Sequence, residues 1–345
     1  MNNIKTIVKF ELLRYFSSPL AYVYLVSFLL LSGSCAVYFG HFFADGQANL
    51  WSLFDYQPWV YLLFIPAIST RLWAEEFKSK SIVQILTTPV SISDFVYGKF
   101  FASWIFAIIA ISLTFPFWIT VNIYGNPDNV VILINYIGCF ILAGAMLAIS
   151  QTMSALSKNS VISLVLAVFV NLLFFWSGFD YVLFWARELF NDVIVDTIMS
   201  FSFLYHFSSI SRGLLELRDV VFFISLILFF NITTIIVVSL KTKGSSSLIS
   251  SSSIFYSSIV FCLFFVAFFS LKIIANNLFR QINYDFTEEK YLSLTKNTKD
   301  ILKKLNRPII AKLYYSPILE KKNPEIRIVF DRIKLMLKQY KSYGG

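Results

Sequence analysis

VVILINYIGCFILAGAMLAISQTMSAL, residues 130–156, runs between Asp128 and Lys158 without one charged side chain. A helix needs about 20 apolar residues to cross the hydrocarbon core of a bilayer, so this stretch alone predicts a spanning helix. Its Gly138, Ala143, Gly144 and Ala148 predict close approach by neighbouring helices, because small residues let backbones meet in lipid. Working outward, apolar intervals at 20–42, 56–74, 100–124, 161–179, 220–240 and 254–275 give six more candidates, seven in all. Arg71 lies near one end of the second and Lys272 near the far end of the last, where long side chains reach the interface. Pro116 predicts a kink in the third.

Composition agrees with that count. Of 345 residues, 57% are hydrophobic and 14% charged, against about 25% charged in an average soluble domain. The expected class is an all-α polytopic membrane protein. The net charge of +9 does not point to nucleic acid, because from Arg280 onward fifteen Lys or Arg face seven Asp or Glu. The bias is that of a tail, read as a solvated face or as attraction to anionic headgroups. Cys35, Cys139 and Cys262 stand far apart in apolar runs, and His41 and His206 stand alone. Neither a disulfide framework nor a metal site is expected.

Short loops keep Lys and Arg on the cytoplasmic side. With the N-terminus inside, that side holds Lys5, Lys9, Arg14, Arg71, Lys78, Lys80, Lys99, Lys158, Lys241 and Lys243, and the opposite loops hold only Arg187, Arg212 and Arg218. Seven spans then put the region after Ala275 outside the cytoplasm. Residues 4–16 are expected along the cytoplasmic interface, with the chain turning at Pro19, or else as an extension of the first span. Residues 180–219, too polar to span and too apolar to be free in water, read as short interfacial or re-entrant helices on the outer face.

Residues 244–253 hold seven Ser in ten and read as a flexible linker. The expected units are a six-span domain over 1–243, the linker over 244–253, a seventh helix over 254–275 and the start of an extracytoplasmic α/β domain over 276–345. In that last unit a helix is predicted over 294–305, a strand over 309–315 and an amphipathic helix over 325–340. One strand and two helices cannot close a sheet-based core, so the unit is expected to be incomplete.

Enzyme signatures are absent: there is no H-E-x-x-H, no G-x-S-x-G and no G-x-x-x-x-G-K-[ST]. Around Gly98 and Lys99, Ser93 and Phe100 occupy the positions where a phosphate loop needs Gly and a hydroxyl.

RLWAEEFKSKSIVQILTTPVSISDFVYGK, residues 71–99, resembles the loop between the second and third spans of type-two ABC permeases. There an R-x-x-x-E-E cluster closes the second helix and an amphipathic coupling segment ends near a Pro. By that resemblance Arg71, Glu75 and Glu76 form the membrane-boundary cluster. Ile82, Ile85, Leu86, Thr88 and Pro89 form the segment that couples to an ATPase, and Gly98 and Lys99 open the third helix. The chain departs at Lys80, where the family pattern usually has Gly, and at Val83, where it has an acidic residue.

FELLRYFSSPLAYVYLVSFLLLSG (10–33) and HFSSISRGLLELRDVVFF (206–223) are similar to the permease subunit associated with gliding motility. NYDFTEEKYLSLTKNTKDILKKLNRPI (283–309) resembles the start of its companion's extracytoplasmic domain. Together these resemblances imply a six-span ABC exporter-type permease in the bacterial inner membrane, fused to the start of the companion subunit. They imply no catalysis and no bound cofactor in this chain, with ATP and Mg on a separate ATP-binding subunit, a homodimer or pseudo-dimer of permeases, and contact with membrane lipids. A structural or mechanical part in a motility or envelope machinery, driven by an ATPase without cargo, is the alternative.

Overall fold

The computed structural model describes residues 2–43, 48–82, 87–243, 283–285 and 296–303, with 266, 270, 309, 311–314, 330, 333, 336, 337 and 340. The chain is helical through its apolar part: α1 (Asn2–Phe16), α2 (Pro19–Ser34), α3 (Trp51–Ser69), α4 (Ala74–Ser79), α5 (Ile92–Ser112), α6 (Phe115–Tyr124), α7 (Asn129–Leu156), α8 (Ser160–Trp176), α9 (Asp180–Leu189), α10 (Asp192–Met199), α11 (Phe203–Ser211), strand β1 (Leu214–Glu216), α12 (Leu217–Lys243), β2 (Asn283–Asp285) and α13 (Lys296–Lys303). Among the described residues, four helical stretches, Pro19–Phe39, Ile92–Tyr124, Asn129–Leu156 and Leu217–Thr242, are long and apolar enough to cross a membrane. The 17-residue α8 is shorter and equally apolar.

The core forms around α7. Asp128 accepts hydrogen bonds from the backbone N–H groups of Val130 and Val131 and starts the helix. The helix then packs against α3, α5, α8, α11 and α12. A Cβ placed on Gly144 would stand 2.8 Å from the Trp104 indole, and one on Gly138 would stand 2.6 Å from Ile210 Cγ2. Both glycines are there because a neighbour occupies the space of a side chain. Polar groups inside this core pair with each other: Thr152 Oγ1 lies 2.9 Å from both Thr234 Oγ1 and the Phe230 carbonyl, and Asn171 Nδ2 donates to Ser150 Oγ at 2.8 Å.

Several predicted boundaries move. Where the second span was expected, α3 runs from Trp51, not Tyr56, and stops at Ser69, so Arg71 sits in the turn before α4 and not inside a helix. The hydroxyls of Ser69 and Thr70 donate to the carbonyls of Pro66 and Ala67, competing with the helix at its end. The kink expected at Pro116 is a break at Leu113–Thr114, with Pro116 in the first turn of α6. Residues 4–16 form a helix separate from α2, which starts at Pro19, so they are no extension of the first span. The segment expected to hold short helices contains α9, α10 and α11.

In the tail, α13 falls inside the helix predicted over 294–305. Of the strand predicted over 309–315, the described residues 309 and 311–314 have no regular structure. A strand needs a hydrogen-bonding partner, and the pairing formed is another one. β1 and β2 are antiparallel, with Leu214 opposite Asp285 and Glu216 opposite Asn283. The linker 244–253 lies outside the described residues, as does the seventh span apart from Val266 and Ser270.

Candidate functional site

The first four turns of α5 lie along α1, and both helices run the same way. Gly98 faces Ile7, with 2.6 Å from a Cβ on Gly98 to Ile7 Cγ2, Lys99 faces Glu11, and Ser103 Oγ lies 3.0 Å from the Tyr15 hydroxyl. Ser91 caps α5 by accepting from the Asp94 N–H, and this cap places Lys99 at the start of its third turn. Gly98 is required because Ile7 fills its side-chain space. The approach lets α1 bring a carboxylate to the lysine.

Lys99 is 1% exposed. Its ammonium donates to Glu11 Oε1 at 3.0 Å and to Glu76 Oε1, and lies 5.3 Å from the Trp73 ring centroid. Arg14, more exposed, stands 3.8 Å from Glu11 and 3.6 Å from Glu76. One buried cation thus meets two buried carboxylates from different elements, joining α1, α4 and α5. Among the described residues, the buried Glu76 Oε2 has no hydrogen-bond partner. Burial of Glu76 pushes its carboxyl above the usual carboxylate range, and the opposing pull of Lys99 does not cancel this.

The third partner, α4, is placed by α7. Ser154 Oγ accepts from the backbone N–H groups of Trp73 (3.3 Å) and Ala74 (3.1 Å), two donors a helix start leaves unpaired. Trp73 and Leu72 join Val96, Ala155 and Val238 in a second apolar cluster that holds the turn before α4. At its other end α4 terminates on Lys80 in a left-handed conformation, φ 58° and ψ 14°. That conformation suits Gly better than a residue with a Cβ.

The predicted boundary cluster therefore divides. Arg71 and Glu75 make an exposed pair at 3.7 Å, which contributes little, whereas Glu76 turns inward to Lys99. Glu11 was missed by reading the sequence, since nothing local to FELLRY shows that its carboxylate meets Lys99, 88 positions away. Of the residues expected to couple to an ATPase, Ile82 packs half-buried on the Leu72–Trp73 cluster. Thr88 and Pro89 are exposed just ahead of α5, and Ile85 and Leu86 lie outside the described residues.

A second polar cluster sits at the other end of α12. His206, read from sequence as standing alone, has Nδ1 2.6 Å from Asp219 Oδ1, Nε2 2.9 Å from the Ser200 carbonyl, and its ring stacked on Phe222. A carbonyl only accepts, so Nε2 carries a proton. Arg218 pairs with Glu216, donates to the Tyr205 hydroxyl at 3.3 Å and approaches Asp219. The cluster adjoins β1 and hence β2.

No curated protein matches the chain. Residues 7–174, which carry Glu11, Arg14, Glu76 and Lys99 together with the loop between α4 and α5, match a family model described as ABC-2 family transporter protein. With four apolar helices of spanning length, that match supports a multi-pass membrane protein similar to the permease subunits of ABC transporters.

Proposed function

We propose that this chain is the permease subunit of a bacterial ABC transporter in the inner membrane, and that the joint of α1, α4 and α5 carries motion from a separate ATP-binding subunit into the spans. The observation that carries this reading is the buried Lys99, held by Glu11 and Glu76. A buried ion pair adds little net stability, yet loss of one partner costs about 3–5 kcal/mol. Such a joint makes three elements move together. The root of the loop through residues 80–91 is thereby tied to the helix that precedes the first span, and a partner seated on that loop would push on α1 and α5 at once.

ATP and Mg would be held by the partner, since no phosphate loop occurs in this sequence. Two permeases around one path, as homodimer or pseudo-dimer, complete the reading. The N-terminus is cytoplasmic. The chain leaves α12 at Lys243 and is beside β1, at the opposite end of that helix, by Asn283. This return favours a seventh crossing and an extracytoplasmic tail, in keeping with a permease over 1–243 joined to a second unit over 276–345. The buried charges sit in paired clusters at helix ends, and the spans between carry few. An amphiphilic cargo therefore suits the spans better than a small ion, and mechanical work without cargo, as in gliding motility, is the second reading.

The test is co-purification of the ATPase with variants of the permease, followed by its stimulated hydrolysis rate. Leu86→Asp should release or uncouple the ATPase by about tenfold or more, and Lys99→Met should uncouple hydrolysis while co-purification persists. Lys78→Ala, exposed at the rim, should be nearly silent. Unchanged co-purification and hydrolysis in both Leu86→Asp and Lys99→Met would reject the coupling role. Ile82→Asp is a poorer probe, because it also strips packing from the Leu72–Trp73 cluster.

A further inference from the structure

Between them, α1 and α5 leave an open groove of about 520 Å³. Leu12 and Phe16 of α1 and Phe101 and Ile105 of α5 form its walls, and Lys5 and Lys9 stand among the lining residues. Because α1 and α5 run in the same direction, the groove has two different ends. Lys5 and Lys9 lie on the first half of α1, roughly 10–16 Å along the helix from Phe16 at 1.5 Å per residue. Both lysines are exposed, and neither makes an ion pair among the described residues. Phe101 is 38% exposed and Leu13, beside Leu12, is 61% exposed, so the apolar end faces outward uncovered.

We propose that this groove binds one anionic glycerophospholipid of the cytoplasmic leaflet, its phosphate between Lys5 and Lys9 and an acyl chain against Leu12, Phe16, Phe101 and Ile105. Charge complementarity selects that occupant. A spanning helix of another subunit laid here would strip water from two unpaired ammonium groups, whereas a lipid phosphate neutralises them and stays hydrated. An acyl chain has no polar group to satisfy along the apolar walls, and a headgroup at one end matches the one-sided placement of charge. The site is independent of the ATPase-coupling role, since none of its residues belongs to the Lys99 joint.

The full chain, purified in a neutral detergent and stripped of lipid, would be incubated with phosphatidylglycerol or with phosphatidylcholine of the same acyl chains. Retained lipid is then counted by native mass spectrometry. Phosphatidylglycerol should be retained at one per chain, with a preference of about tenfold, because each Lys adds attraction to an anionic headgroup. Lys5→Gln with Lys9→Gln should abolish the preference, and Lys5→Arg with Lys9→Arg should keep it. Val8→Trp, which fills the groove from α1, should reduce retention of both lipids. Thermal melting of each variant checks that the helices remain folded. Equal retention of the two lipids by the unaltered chain, a preference that survives loss of both lysines, or full retention in Val8→Trp would each overturn the proposal.

Discussion

At the scale of single residues, Glu76 and Lys80 carry the clearest expectations. Glu76 is buried beside Lys99, and desolvation holds its carboxyl above the ordinary carboxylate range. Between the ordinary value and the raised one, the folded chain keeps a proton that the unfolded chain has released. This group therefore adds stability at acid pH and loses it as pH rises through that window, the reverse of a salt-bridged carboxylate with a lowered pKa. Thermal unfolding in detergent as a function of pH should show a falling contribution across that window, and Glu76→Gln should flatten it. An identical pH slope in both proteins would contradict the assignment. Lys80 is a different case. It holds a left-handed backbone that costs a residue with a Cβ about 1–2 kcal/mol, and its side chain is exposed. Lys80→Gly should raise stability by about 0.5–1 kcal/mol, less than the full strain because Gly is more flexible when unfolded. A lower melting temperature would show that the Lys80 side chain contributes something the geometry does not reveal.

At the scale of elements, α7 is the helix on which the others depend. Its small residues are matched to particular neighbours: Trp104 lies over Gly144 and is fixed there by a 2.7 Å hydrogen bond from its indole N–H to the Phe140 carbonyl. The indole cannot retreat without breaking that bond. Gly144→Ala should thus cost about 1–3 kcal/mol through overpacking, although alanine favours a helix intrinsically. Gly33 on α2 supplies the control, because its added Cβ would meet Phe117 at an ordinary 3.4 Å. Gly33→Ala should be neutral or mildly stabilising. Melting curves of the two variants in one detergent decide it, and equal effects would mean that the α5–α7 contact is looser than these distances imply. The same logic holds the turn before α4 in place. Ser154 of α7 holds its backbone from one side and the Leu72–Trp73 cluster holds it from the other.

For the whole molecule, topology is the property to test. β2 lies beside β1, so a cysteine replacing Asp300, a short distance beyond β2, should react with a membrane-impermeant thiol reagent from outside the cytoplasm. Reaction only after the membrane is opened would reject the seventh crossing. What the sequence by itself determined is the membrane class, the approximate positions of six helices and the small-residue face of α7. These properties depend on length and hydropathy, which are local along the chain. The permease resemblance was legible for the same reason, since residues 71–99 carry it in one continuous run. Only the tertiary structure decided which charges meet. Glu75 and Glu76 are neighbours in sequence, yet one faces solvent beside Arg71 and the other turns to Lys99. Glu11 and Lys99 pair across 88 positions, and His206 finds Asp219 across a strand and a helix start. Attraction between such groups depends on distance and on removal from water, and both are set by how helices pack rather than by spacing along the chain.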